Sequence, residues 1–204
     1  MNEAQTNLAR HARALNTRHA RGRALPAIVL MTDDARKVDW VAAVAALPRG
    51  SAVVVRHRDA KGRERLARLL RPVCHARRVA LLIADDAALA QRVGANGVHV
   101  PERQLARLPG IRARNARWLV SCSAHGAAAV LRANRLAADA IFVSPVFATA
   151  SHPDHRALGV TRFAALVCGG GAVYALGGIE MKTIRRLAPH RIVGIGLIGA
   201  WIKS

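Results

Sequence analysis

The stretch Ala80-Leu-Leu-Ile-Ala-Asp-Asp-Ala-Ala-Leu-Ala-Gln-Arg-Val-Gly-Ala-Asn-Gly-Val-His-Val100 reads as a complete strand–helix–strand unit. Ala80–Ala84 is short and uniformly apolar, which suits a strand buried on both faces rather than one half exposed to water. Asp85 and Asp86 follow, where an N-cap alone would select an aspartate. Ala87–Val93 then carries helical spacing, and Gly97–Val100 is a second apolar run. Two buried strands in one direction, joined by a helix, imply a parallel sheet.

The same alternation extends outward in both directions from Pro26 to the end of the chain. The apolar runs are Ala27–Met31, Ala52–Val55, Ala80–Ala84, Gly97–Val100, Trp118–Ser121, Ala140–Val143, Ala172–Leu176 and Ile192–Ile195. Between them lie the helical patterns Val38–Ala46, Gly62–Arg77, Ala87–Val93, Leu105–Arg112, Ala127–Asn134, Thr161–Val167 and Met181–Ala188, with a short eighth helix after the last strand. Eight βα units with short connections point to an α/β fold, a compact (β/α)8 TIM barrel. A doubly wound open sheet is the competing arrangement, but it would rarely need eight parallel strands in so few residues. Residues 1–24 read as a separable basic N-terminal helix and residues 25–204 as a single barrel domain. Ala4, Leu8, Ala12 and Leu15 fall at helical spacing, so packing on the domain is the favoured reading for that helix over a targeting segment. With a short final helix, it is placed to cover the barrel wall left bare.

Composition narrows the class further. The 204 residues are 52% hydrophobic but only 3% aromatic, which suits helices on a buried sheet better than a β-sandwich. No apolar run is long enough to span a bilayer. Cys74, Cys122 and Cys168 are odd in number and sit in apolar segments, against a disulfide framework or a zinc cluster. The expectation is a soluble cytoplasmic protein with no membrane partner. The net charge of +20 predicts attraction to anions. Lysine occurs only at Lys37, Lys61, Lys182 and Lys203, and the arginines are dispersed along the chain. That pattern favours a generic basic surface over a dedicated nucleic-acid site, and small phosphorylated substrates are the expected partners. A homo-oligomer is compatible with the sequence.

In such a barrel, function sits at the C-terminal ends of the strands, with phosphate bound after strands seven and eight. Strand seven ends in Leu176-Gly177-Gly178-Ile179, and strand eight runs through Gly194-Ile195-Gly196-Leu197-Ile198-Gly199-Ala200. Backbone N–H groups in such loops can approach an anion closely. Glycines also serve tight turns, but their placement in both of these loops favours phosphate.

These strand ends resemble the thiamine phosphate synthase family, which shares its signature with the TenI-type thiazole tautomerases. The resemblance runs from about Ala27 to Trp201. It is most specific at Ser144-Pro145-Val146-Phe147-Ala148-Thr149-Ala150-Ser151-His152 followed by Ala157-Leu158-Gly159, where the family reads G-P-V-F-x-T-x-T-K and then P-L-G. Met31-Thr32-Asp33, Ala84-Asp85, Gly94-Ala95-Asn96-Gly97-Val98-His99, Ser121-Cys122-Ser123-Ala124-His125 and Ala175-Leu176-Gly177-Gly178-Ile179 support it.

The resemblance implies coupling of hydroxymethylpyrimidine diphosphate to thiazole phosphate, with release of pyrophosphate and Mg²⁺ as cofactor. It places the diphosphate on Arg56, Arg58, Ser123, Thr149, Ser151 and His152, of which Arg56, Arg58, Ser123 and His152 are the catalytic candidates. Asp85 becomes the Mg²⁺ ligand, and Gly177, Gly178, Ile198 and Gly199 receive the thiazole phosphate. The diphosphate side departs from the family at four positions: Val54 replaces glutamine, Ala84 asparagine, Gln104 the second metal-binding aspartate, and His152 lysine. Glu102 is the acid nearest to Gln104. These departures keep two alternatives open: a tautomerase, whose proton-transfer histidine would stand where this chain has Pro145, and a catalytically degenerate phosphate-binding barrel. His125 or His152 would then have to move the proton. A metal cluster of His152, Asp154 and His155 is disfavoured, because the loop is rich in Pro and Ala.

Overall fold

Each apolar run becomes a strand because its side chains are buried both toward the barrel axis and toward the helices. The strands are β1 (Ile28–Met31), β2 (Ala52–Val55), β3 (Ala80–Ala84), β4 (Gly97–Val100), β5 (Leu119–Ala124), β6 (Ala140–Val143), β7 (Val173–Leu176) and β8 (Gly194–Leu197). All pair in parallel, in sequence order, and β8 closes onto β1. The helices are α1 (Glu3–His19), α2 (Trp40–Ala45), α3 (Ala60–Arg77), α4 (Ala87–Arg92), α5 (Leu108–Arg114), α6 (Ala127–Arg135), α7 (Gly159–Val167) and α8 (Met181–Ile184). This computed structural model describes residues 1–20, 22–149, 156–199 and 201–202. No helix among them is long and apolar enough to cross a membrane.

The core has two layers. Outward-facing strand residues such as Val53, Val55, Ile83, Val98 and Ile141 meet the helices, while Val29, Met31, Val54, Leu82, Phe142 and Tyr174 fill the barrel. Phe142 and Tyr174 stack with ring centroids 4.8 Å apart, and the buried Tyr174 hydroxyl donates to the Pro26 carbonyl at 2.7 Å. Strand eight makes room for these rings. A Cβ on Gly194 would stand 2.6 Å from the Tyr174 ring, and one on Gly196 3.1 Å from Phe142.

Several boundaries differ from the sequence reading by a residue or two, and three differences have physical reasons. The apolar-run criterion ends the fifth strand at Ser121, yet β5 continues to Ala124. Ser121 and Ser123 point inward to a polar partner, while Val120, Cys122 and Ala124 stay in the outer core. The eighth strand is shifted toward its glycines, which are interior strand residues rather than breakers. The sequence also reads one helix over Leu105–Arg112; instead a 3-10 turn over Glu102–Arg107 precedes α5, with Pro109 in the first turn of that helix.

Beyond β8 the chain turns at Trp201 and Ile202, and α1 packs against β8, β1 and α8. The N-terminal helix thus covers the barrel wall at β8 and β1. Leu8, Ala12 and Leu15 are buried there, whereas Ala4 is exposed. An Asn2–Gln5 capping box starts the helix. Gln5 Nε2 also donates to the Trp201 carbonyl at 2.8 Å, and the Trp201 indole donates to the Ala43 carbonyl at 3.2 Å. Asn16 holds the other end, donating to the Leu25 and Val193 carbonyls. Leu15→Ala is therefore expected to cost about 2–5 kcal/mol in urea unfolding, and deletion of residues 1–19 to leave an insoluble or strongly destabilised barrel. Unfolding midpoints unchanged in both variants would contradict this role for α1.

Candidate active site

Above the Phe142–Tyr174 layer, at the C-terminal mouth of the barrel, lies a cavity of about 180 Å³. Its lining includes Met31, Arg56, His99, Ser123, His125, Ser144, Pro145, Thr149, Leu176, Gly177 and Ile198. A larger depression of about 450 Å³ lies at the opposite end beside α1, lined in part by Arg18, Arg23 and Arg191. Parallel barrels place their chemistry at the C-terminal strand ends, so the smaller cavity is the candidate site.

Arg56 is its cation. The residue follows β2, where its amide donates to the hydroxyl of fully buried Thr32 at 2.9 Å and its Nε to the Thr32 carbonyl at 3.4 Å. Burial pulls the guanidinium below its ordinary pKa, and the Asp33 carboxylate opposes that pull. A guanidinium still carries its charge at neutral pH. Arg58 has a different setting. Because β2 ends at Val55, strand alternation does not place it on one face with Arg56. It is exposed, and its amide donates to Asp34 at 2.8 Å, which holds that carboxylate below the usual range.

His99 forms the polar floor. Its buried ring lies between two serine hydroxyls, Ser121 at 3.0 Å from Nδ1 and Ser123 at 2.9 Å from Nε2, and meets Phe142 edge-on. Burial, with a smaller push from Arg56, lowers its pKa to about 3. The ring is neutral at pH 7, so it orients Ser123 instead of delivering a proton. His125 stands higher and is exposed; the Glu102 carboxylate lies 2.6 Å from its Nδ1 and accepts its amide at 2.7 Å.

The loops after β6, β7 and β8 close the other side. Gly177 and Gly178 have φ of +92° and +64°. A Cβ on Gly177 would stand 2.9 Å from Pro145, and one on Gly178 2.5 Å from the Ala148 carbonyl, so only glycine lets the two loops touch. Facing them, Arg36 from the loop after β1 lies against the loop after β8. A Cβ on Gly199 would stand 3.0 Å from its Nη1.

Asp85 sits on the rim after β3 and does not line the cavity. Arg103 and Gln104 each donate to its Oδ2 at 2.9 Å, and Arg107 donates to Oδ1 at 3.1 Å. A Mg²⁺ ion needs oxygen ligands in near-octahedral geometry. Here the carboxylate is taken by two guanidiniums and an amide, and Glu102 is taken by His125. These residues do not fit Mg²⁺. Among the described residues, no group of three or more His, Cys, Asp or Glu side chains is placed to hold a metal ion.

Comparison with known proteins agrees with the barrel fold. The family model described as thiamine monophosphate synthase matches residues 27–201. The chain belongs to the thiamine monophosphate synthase family. It is 31% identical to the thiamine-phosphate synthase of Chromobacterium violaceum over 173 residues, which cover 82% of each protein. A relative from Aquifex aeolicus is 32% identical over 155 residues, covering 74% of this chain and 82% of the other. Among solved structures, a thiamine phosphate pyrophosphorylase from Pyrococcus furiosus superposes with a TM-score of 0.73 at 22% identity, covering 87% of each chain.

For this member of the thiamine monophosphate synthase family, the barrel brings Arg56, Ser123, Thr149, Gly177 and Ile198 to one cavity. Gly178 and Gly199 adjoin it through the loops just described, Arg58 is exposed beyond β2, and Asp85 lies on the rim. Ser151, His152, Asp154 and His155 fall outside the described residues. Sequence reasoning did not find Arg36, nor the arginines on Asp85. It gave His99 no role of its own, although strand alternation already puts Ser121 and Ser123 on one face, and the β4–β5 register sets His99 beside Ser121.

The His99 shift gives a pH dependence of stability. Below pH ~6.5 the unfolded chain binds a proton that folded His99 refuses, so stability falls as pH drops toward 3, by about 1.4 kcal/mol per unit. The variant His99→Gln is expected to lose about 2 kcal/mol less than the parent between pH 6.5 and 4.5 in urea titrations. Parallel pH profiles would show that this ring is not held neutral.

Proposed function

We propose that this barrel joins hydroxymethylpyrimidine diphosphate to thiazole phosphate, forming thiamine phosphate and releasing pyrophosphate. The observation that carries the reading is the chemistry of the cavity wall: one half-buried guanidinium, three hydroxyls and two backbone loops, with no carboxylate among the described lining residues. Substitution at the pyrimidine methylene needs no enzyme nucleophile. The carbon–oxygen bond breaks with its electrons passing to the diphosphate, and the thiazole nitrogen lone pair forms the new bond to that carbon. The protein must neutralise the departing charge and hold the two partners in line.

The residues divide accordingly. Arg56, fixed by Thr32, faces the developing charge from within the barrel. Ser123, held by neutral His99, and Thr149 offer hydroxyls beside it. The loops carrying Gly177, Gly178, Ile198 and Gly199, with Arg36 against them, receive the thiazole phosphate. The cavity is smaller than the roughly 300–1,000 Å³ of typical ligand pockets, so it takes only part of the two substrates, and the rest lies toward the rim. In the family, Mg²⁺ would share the diphosphate charge; the residues around Asp85 do not suit that task, and no step is assigned to it.

A second reading has one observation in its favour. His125 lines the cavity with a carboxylate at its ring nitrogen, a pair able to move a proton on a thiazole carboxylate phosphate, as a tautomerase would. Incubation with both coupling substrates is expected to give thiamine phosphate, with Arg56→Gln slower by about a hundredfold. Absence of product with and without Mg²⁺, together with proton exchange into the thiazole carboxylate phosphate that His125→Gln abolishes, would replace the synthase reading by the tautomerase one.

A further inference from the structure

The cluster on the rim after β3 has the charge of an anion site and the wrong partners for a metal. Asp85 holds a left-handed φ of +58°, and its amide donates to the His99 carbonyl at 2.9 Å, which places it one strand end from the cavity floor. Its two carboxylate oxygens accept from Arg103, Gln104 and Arg107, and Gln104 Oε1 accepts from the same Arg107 nitrogen. Two guanidiniums and one carboxylate sum to a net positive charge. A dication entering here would have to displace those donors and then sit beside two cations it repels. A phosphate group meets the opposite situation. The Arg103 and Arg107 side chains are 71% and 50% exposed, so N–H groups not used on Asp85 face solvent at the mouth.

We propose that Arg103 and Arg107, braced by Asp85 and Gln104, bind the outer end of the diphosphate in the place where a metal ion would stand, so that pyrophosphate binding needs no Mg²⁺. The identity of the anion rests on the synthase reading. Asp85 is then a positioning residue: its charge holds the two forks rather than a metal. Gln104 serves the same purpose, because an amide can donate to Asp85 and accept from Arg107 at once, which an aspartate could not.

The test is calorimetric titration of pyrophosphate into the full chain, in EDTA and in excess Mg²⁺, paired with product formation under both conditions. Binding in EDTA is expected, changed little by Mg²⁺, and weakened about tenfold in Arg103→Gln and in Arg107→Gln. Asp85→Asn, which tolerates the left-handed backbone, removes the brace but leaves both cations, and is expected to weaken metal-free binding less than either arginine variant does. Binding that requires Mg²⁺ and disappears in Asp85→Asn would overturn the proposal, as would no binding in either buffer or arginine variants that bind like the parent. Product formed only with Mg²⁺ sinks this inference and leaves the synthase reading standing. Metal-free pyrophosphate binding that depends on both arginines, with no product in either buffer, sinks the reading and leaves the site.

Discussion

The interior of an eight-stranded barrel holds a fixed volume, and here its two largest side chains are aromatic rings. Phe142 and Tyr174 stack as cross-strand neighbours on β6 and β7, in room that β8 leaves by carrying no side chains at Gly194 and Gly196. The apolar filling ends at that layer, and polar groups begin directly above it. His99 rests its edge on Phe142 and holds Ser123, while Arg56 stands beside them on the end of β2. The height of the ring pair thus sets the floor of the cavity, and the floor fixes which strand positions can touch a ligand.

Electrostatics at the mouth follow from composition. The chain has 32 basic and 12 acidic residues, so a carboxylate is rarely left without a guanidinium. Glu64 accepts from Arg68 and Arg92, Asp139 from Arg23 and Arg112, and Asp85 from Arg103 and Arg107. The same surplus that makes the surface basic therefore competes for any acid a metal would need. A cation drawn partly out of water acts more strongly on a nearby anion, at a cost in its own desolvation, which is the setting of half-buried Arg56. The loss of polar character at Val54 and Ala84 fits this division: both belong to the apolar filling of the barrel, and the charge lies in arginines around it.

Most of the fold was legible because parallel barrel strands are buried on both faces and so read as apolar runs; β2, β3, β4 and β6 match those runs residue for residue. Where the reading missed, the inner face was not apolar. In β5 it is serine, meeting a histidine, and in β8 it is glycine, yielding to aromatic rings. The glycine loops after β7 and β8 were legible, although the structure adds a reason for the first that the sequence could not supply, the close approach of Gly177 and Gly178 to the loop after β6. Contacts between distant loops were not legible. Nothing local in the sequence tells that Arg36 will reach Gly199, or that arginines after β4 will fold back onto Asp85, because those pairings exist only once the barrel closes.

The central claim is that the mouth above the Phe142–Tyr174 layer is where two phosphorylated ligands meet. A crystal structure of the protein grown with thiazole phosphate and pyrophosphate tests it most directly. The account predicts pyrophosphate between Arg56, Ser123 and Thr149, and the thiazole phosphate against Gly177, Gly178 and Gly199 beneath Arg36. An empty cavity, with the anions bound instead at the basic depression beside α1 or scattered over surface arginines, would contradict it.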